Sequence, residues 1–351
     1  MKKYLFILTL LSVFSNAQIV RKYSNEFLNI GAGARGLAMG GAVISNQNDV
    51  YAPMWNPAGL TEIDRDWQGA AMHAEYFESI AKYDYISFAK ALDSNDGVLG
   101  ISIVRLGVDN ILNTTQMIDS EGNIDYDKIS KFSTSDYAGI ISYAFHPAGK
   151  EKLSVGVNAK IVYRNIGKFA NGFGFGFDLG AIYNADSGYK FGAMLRDAIT
   201  TVNFWSINQK ELSAIVNGEE FNPAPKDKME ITMPKLNMGL SKNFELNRDL
   251  ELLPEAGVNV DFAKTAALIS TDFASITPYL GAELSFQKMI FVRAGVNKFQ
   301  NVTDIEDLKR KVTFQPSAGI GIRYRGLTLD YAITSTGIGG SNYFSNFFSL
   351  K

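Results

Sequence analysis

Val312–Tyr324 reads VTFQPSAGIGIRY and alternates from end to end. Val312, Phe314, Pro316, Ala318, Ile320, Ile322 and Tyr324 fall on one face of an extended chain. Thr313, Gln315, Ser317, Gly319, Gly321 and Arg323 fall on the other. Successive side chains of a strand point to opposite faces, so this is a strand with one apolar and one polar side. Its length decides the class. Strands of soluble proteins usually stop after roughly 5–6 residues, whereas alternation sustained over about ten marks a transmembrane β-barrel. The aromatic spacing agrees. Phe314 and Tyr324 are separated by ~33 Å along a strand rising ~3.3 Å per residue. A tilt of roughly 40° reduces this to ~25 Å, the height of the apolar band between two aromatic girdles. Pro316 is tolerable at a bulge or where its missing N–H is not needed.

The same alternation recurs from Trp67 onward. In Lys152–Arg164, Leu153, Val155, Val157, Ala159, Ile161 and Tyr163 oppose Ser154, Gly156, Asn158 and Lys160. In Gly172–Asn184, Phe173, Phe175, Phe177, Leu179, Ala181 and Tyr183 oppose Gly174, Gly176, Asp178 and Gly180. Segments of this kind predict about fourteen strands, near 67–77, 82–91, 97–106, 135–146, 152–164, 172–184, 189–197, 234–245, 250–262, 275–287, 290–299, 312–325, 327–334 and 341–350. An even number closes the wall with both ends on the periplasmic side. The connections then sort by length. Those expected on the periplasmic side are short: Leu92–Asp96, Pro147–Glu151, Ala185–Gly188, Leu246–Asp249, Gln287–Met289 and Arg325–Gly326. Most of those expected outside are longer, notably Gly107–Thr134 and Ala198–Met233. Loop length played no part in choosing the strands, so it checks them independently. The reading is all-β: a 14-stranded antiparallel transmembrane barrel over residues 67–351.

Charge orients the strands. Asp178, Glu255, Asp261, Glu283, Asp330, Lys160, Arg164, Arg293 and Arg323 all fall on the polar faces. A charge on the lipid face is costly, so these side chains are expected to point into the lumen. Both signs suit compensating pairs better than an ion-selective pore. Elsewhere composition is quiet: 351 residues, a formal net charge of −2, 24 Phe, 16 Tyr and 32 Gly. No basic patch with interleaved aromatics points to nucleic acid. His73 and His146 are the only histidines and lack metal-ligand spacing, so hydrogen-bonded structural roles are expected of them. Carboxylates stand singly along strands, giving no acid–base pair; neither an enzyme, a metal nor a cofactor is expected.

Ahead of the barrel, Lys2 and Lys3, the apolar run Tyr4–Phe14 and Ser15-Asn16-Ala17 form a signal-peptide pattern over 1–17. The apolar run is too short to anchor in a bilayer, and without cysteine there is neither a lipidated Cys nor a disulfide. The chain is therefore expected to be exported and to begin at Gln18.

Residues 18–66 form a separate segment. Its centre, Phe27–Ala42, reads FLNIGAGARGLAMGGA, and Gly31, Gly33 and Gly36 spell G-x-G-x-x-G. That fingerprint binds dinucleotides only between a parallel strand and a helix. Here no buried strand precedes it and no strand–helix alternation follows. The better reading is a short, closely packing small-residue helix over Ala34–Val43, followed by a turn at Asn56-Pro57. The whole stretch, with Asn48-Asp49-Val50 and Trp55-Asn56-Pro57-Ala58-Gly59-Leu60, resembles the N-terminal region of FadL-like outer-membrane barrels. It is most similar to the PorV/PorQ family of the type IX secretion system. The resemblance implies a plug folded into the lumen near the periplasmic end, with Gly33, Arg35, Gly36, Gly40, Gly41, Asn56, Pro57 and Gly59 as its motif. It also implies fourteen strands. Arg35 is a candidate to pair with a lumen carboxylate.

One external segment has its own chemistry. Ala198–Met233 contains Phe204-Trp205, then Ser206-Ile207-Asn208-Gln209, a capping-box start for a helix. Ile207, Leu212, Ile215 and Val216 recur near helical spacing, and Asn217-Gly218 reads as a stop. Two roles fit: a lid that buries its own stripe, or a partner surface with Phe204, Trp205, Leu212, Ile215 and Val216 as anchors. Two functions follow from the resemblance. A PorV-like barrel would bind or shuttle secreted cargo proteins, or associate with translocon components, in the outer membrane of a Gram-negative bacterium. A FadL-like barrel would instead pass small hydrophobic molecules.

Overall fold

The computed structural model describes residues 24–77, 79–92, 97–216, 219–221, 223, 225, 228–303, 309–338 and 341–350. The signal peptide expected at 1–17 and the first residues of the plug segment lie outside this set.

The wall strands run β1 Trp67–Tyr76, β2 Ala81–Leu92, β3 Gly97–Asn113, β4 Ser130–Phe145, β5 Leu153–Ile166 and β6 Ala170–Asn184. β7 is interrupted, as Tyr189–Arg196 and Thr201–Ile207; β8 likewise, as Met229–Thr232 and Lys235–Lys242, continuing in Phe244–Glu245. Then come β9 Leu250–Asp261, β10 Ser275–Phe286, β11 Ile290–Thr303, β12 Arg310–Tyr324, β13 Leu327–Ile338 and β14 Ser341–Leu350. Each strand pairs antiparallel with the next, and β14 returns to β1 through Ala71↔Leu350 to Glu75↔Asn346. The ladder therefore closes on itself, which leaves no edge facing lipid. Fourteen strands are what the alternation predicted. β3 and β4 run past their expected ends, and a bulge between Val108 and Ile111 sits where they rise from the wall. A second irregularity, between Asn297 and Gln300 of β11, begins opposite Gln315, beside Pro316. Pro316 itself stays in register opposite Val296, so the irregularity lies beside the proline and in the partner strand.

The two faces separate cleanly. Ile86, Phe88, Ile101, Ile103, Ile161, Phe175, Phe177, Val292, Phe314, Ile320, Ile322 and Tyr324 are exposed on the outside. A continuous apolar belt of this size is solvated by lipid rather than water. The inward faces carry Lys160, Asp178, Glu255, Glu283, Arg293 and Asp330, all buried. Burial of charged side chains inside a ring of this width requires something else in the lumen. Barrels of about eight strands fill themselves with side chains, whereas those of about sixteen to eighteen hold an aqueous channel.

Residues 24–66 supply the filling. Phe27, Leu28, Ala32, Ala34, Ala38, Met39, Val43, Val50, Met54, Trp55 and Leu60 are buried in one apolar cluster with inward residues of the wall, including Met72, Tyr83, Tyr85 and Met194. The segment threads the lumen along much of its height. Glu62 accepts from Lys190 Nζ at 2.5 Å near the short periplasmic turns. Ser24 Oγ lies 3.1 Å from Glu230 Oε2, in the outer half of the wall. The plug is thus not confined to the periplasmic end, as the resemblance had implied.

Candidate functional site

The plug's helix is shorter than expected. It spans Ala34–Ala38 rather than Ala34–Val43, because Gly40 and Gly41 take φ of 65° and 80° and turn the chain away. That left-handed backbone suits glycine, and at Gly40 a Cβ would also meet the Val296 backbone at 2.8 Å. Gly33 and Gly36 lie flat against the Tyr51 and Trp55 rings, and Trp55 Nε1 donates to Ala32 O at 2.6 Å. The motif therefore builds a compact knot around two aromatic rings, and no phosphate loop exists here.

Asn56 stitches the knot to the wall. Its Nδ2 donates to Ile44 O within the plug at 2.9 Å and faces Ala181 O and Ala193 O of the wall at 3.1 and 3.3 Å. Its Oδ1 accepts from Ala58 N, capping the 3-10 turn Pro57–Glu62. Pro57 presses on the inward glycines Gly156 and Gly180, where a Cβ would strike Pro57 itself. Gly59 has no room for a side chain because the Gln47 carbonyl occupies that space. Across the lumen, Gly281 and Gly295 meet Met39, and Gly319 meets Ala38. The wall is hollowed by glycine where the plug backbone touches it. In the sequence Gly156, Gly180 and Gly319 show only as members of the polar side of a strand.

Charge holds the two parts in register. Arg35 Nε lies 2.9 Å from Glu283 Oε2, so the expected pairing with a lumen carboxylate is present. Arg293 bridges onward, 2.5 Å from Glu283 and 2.7 Å from Asp330. Glu255 is fully buried and accepts four hydrogen bonds from consecutive plug residues: Ile44 N at 2.6 Å, Ser45 N at 3.0 Å, Ser45 Oγ at 2.5 Å and Asn46 Nδ2 at 2.8 Å. A buried carboxylate is tolerated only when its lone pairs are filled this completely. At the interruption of β7, Lys160 Nζ sits 2.6 Å from Asp178 and 2.7 Å from Asp197. Arg196 reaches the carbonyls of Leu28 and Met54 in the plug.

The expected external helix is not there. Phe204 and Trp205 belong to β7, paired with Phe173 and Gly172 of β6. They point opposite ways: Phe204 is exposed on the outer belt, while Trp205 lies inward under the Arg164 guanidinium, 5.2 Å from its ring centre. Leu212 ends a single helical turn, Gln209–Leu212, whose first residue follows Asn208 rather than Ser206. Ile215 and Val216 fall in a short strand, Ala214–Val216, paired with Glu219–Phe221. Pairing with β6 outweighed the local capping signal, so the five expected anchors do not share one helix. Exposed apolar groups on outer loops lie elsewhere, Ile269 and Phe273 before β10 among them. Residues 114–129 join the tall β3 and β4, and Ile118, Ile124 and Tyr126 stand exposed there. The Asn123 side-chain amide and backbone N–H hold the Asp119 carboxyl below its usual range in that loop.

The histidines stay apart. His73 Nδ1 is 2.6 Å from Asp84 Oδ1 on the outer face, and His146 Nδ1 is 3.2 Å from Leu153 O.

Two cavities border the plug's helix. One, of about 350 Å³, opens beside the periplasmic turns and is lined by charges of both signs, among them Arg35, Asp49, Lys190, Glu251, Arg293 and Asp330. The other, of about 360 Å³, opens outward above Leu37, Gly40, Gly41 and Trp55. Arg35 and Leu37, two residues of one helix, thus face opposite cavities.

The chain matches no family model and no curated protein sequence. Solved structures do match. The Ralstonia pickettii toluene transporter TbuX superposes with a TM-score of 0.56 at 14% identity, over 91% of this chain and 97% of its own. The Pseudomonas putida toluene transporter TodX gives 0.56 at 14%, over 91% and 96%. A Pseudomonas aeruginosa FadL homologue gives 0.51 at 12%, over 91% and 97%. The fold is FadL-like. At such identities the FadL likeness extends to the architecture alone, and the site must be argued from its own residues.

Proposed function

We propose that this FadL-like barrel is an outer-membrane protein with a closed lumen that works through protein contacts at its outer rim, as a component of type IX protein secretion. The observation that carries this reading is the plug's attachment. Glu255, the Arg35–Glu283–Arg293–Asp330 chain and the glycine-hollowed wall fix it along the lumen, and charged and amide side chains interrupt the apolar lining of the spaces on either side. A conduit for hydrocarbons calls for an apolar path, since buried polar groups facing an apolar solute lose their hydrogen bonds. The wording of Phe27–Ala42 and Trp55–Leu60, similar to the PorV/PorQ family, points to secretion. Secreted cargo or translocon components would dock on the 114–129 loop, whose Ile118, Ile124 and Tyr126 supply exposed apolar area.

A second reading has its own support, and the solved neighbours favour it. TodX and TbuX are named as toluene transporters, and β7 is broken at Asp197–Thr200, where Asp197 and Thr200 take positive φ and Ile199 projects outward. A wall interruption is where a small hydrophobic molecule would pass between lumen and lipid.

A paired assay separates the two. Ile124→Ala with Tyr126→Ala is expected to reduce co-purification of partner proteins from solubilised membranes by roughly 30-fold or more, the effect of losing about 2 kcal/mol at an interface hot spot. Uptake of labelled toluene should not change. Phe204→Ala, on the lipid-facing belt, should alter neither. Normal partner recovery with impaired toluene uptake would reverse the assignment.

A further inference from the structure

The outward cavity has a lining that neither function explains. Six consecutive wall strands, β8 to β13, place amide or hydroxyl side chains on it: Asn237, Asn259, Thr277, Asn297 with Gln300, Gln315 and Thr334. The register makes neighbours of them. Asn237 pairs with Asn259, Asn259 with Thr277, and Asn297 with Gln315. The charged lining residues are Glu26, Arg196, Lys235, Asp261 and Lys298, with Lys235 lying 3.1 Å from Glu26 and 3.5 Å from Asp261. Neutral side chains supply most of the remaining polar lining. Two of them have unused capacity: Asn297 Oδ1 and Thr334 Oγ1 are buried without a hydrogen-bond partner in the protein, and Thr334 is only 8% exposed. Unpaired buried polar atoms are uncommon and point to a missing partner.

We propose that this vestibule binds a carbohydrate, a ligand the size of one or two sugar rings. Sugar hydroxyls donate and accept at once, so they suit a belt that offers a free acceptor at Asn297 Oδ1 and a hydroxyl of either function at Thr334, while Asn237 and Asn259 hold each other in place. The apolar C–H face of the ring would rest on Leu37 and Trp55, while the bare backbone at Gly40 and Gly41 lets it approach. Other ligand classes fit less well. A hydrocarbon would strand the amides without partners. An anion or cation would call for one sign of charge, and here both signs line the same space. An extended peptide would need an exit, and the plug closes the floor. The inference does not depend on which of the two functions holds.

The test uses the mature protein in a sugar-free detergent, titrated calorimetrically with maltose, N-acetylglucosamine, mannose and galactose. Toluene and trialanine serve as comparison ligands. At least one sugar should give saturable binding. Thr334→Val and Gln315→Leu should each weaken it about 3- to 10-fold, the loss of roughly one ligand hydrogen bond. Thr334→Val keeps the side-chain shape, and an unchanged heat-modifiable gel shift confirms that the barrel is intact. Asn171→Ala, on the outer face of β6, should leave affinity as it was. The proposal is overturned if no sugar saturates the wild type or if neither variant weakens sugar binding. It is also overturned if toluene or trialanine alone binds in a manner sensitive to Thr334 and Gln315.

Discussion

Removing residues 24–60 should turn a silent barrel into an open one. In planar bilayers the intact protein is expected to give no resolvable steps, and the shortened chain a clear open level. The reason is geometric. The wall hydrogen bonds run strand to strand and do not pass through the plug. Inward glycines such as Gly156, Gly295 and Gly319 leave the lumen without side chains where the plug backbone now lies. A ring of this width cannot fill itself. The exposed carboxylates and guanidiniums would then face water, which costs little. Equal conductance in the two proteins would mean that the segment does not occupy the lumen.

Glu255→Ala should have the largest effect of any single substitution on plug retention. It strips the acceptor from Ile44 N, Ser45 N, Ser45 Oγ and Asn46 Nδ2 at once. Buried donors left unpaired cost about 1–3 kcal/mol each before relaxation, so a net loss on the order of 3 kcal/mol is expected. Arg35 is mostly buried against Glu283 and Asn46 and protected in the intact protein. In the variant, trypsin should cleave after it at rates far above wild type. Glu255→Gln keeps an acceptor and should fall between the two. Unchanged protection in Glu255→Ala would show that the apolar knot alone retains the plug.

How far the chain could be read before its structure depended on the range of each signal. Period-two alternation is local and long, so strands such as β5, β6 and β12 were legible nearly to their ends. The N-terminal motif is legible as a unit, but its helix ends five residues early, because Gly40 and Gly41 are left-handed and small size alone does not reveal that. The external helix failed for the opposite reason. Thr201–Ile207 carries β-branched and aromatic residues, and β6 was waiting to pair with them. The attachment chemistry was the least legible. Arg35 and Glu283 are 248 positions apart and Ser45 and Glu255 are 210 apart; nothing local says that they meet. Nor did spacing reveal the amide belt, since its members lie on six strands and become neighbours only through register.

The central claim is that residues 24–66 stand inside the barrel, against identified wall residues. Ser45 Oγ and Ser241 Oγ lie 2.7 Å apart, one on the plug and one on β8, and the chain contains no cysteine. Ser45→Cys with Ser241→Cys therefore gives a single possible cross-link. With a protease site placed in the 114–129 loop, mild oxidation should join the two halves, so that they migrate together on a non-reducing gel and separate on reduction. Failure to cross-link, with both cysteines open to a membrane-impermeant maleimide, would contradict the account.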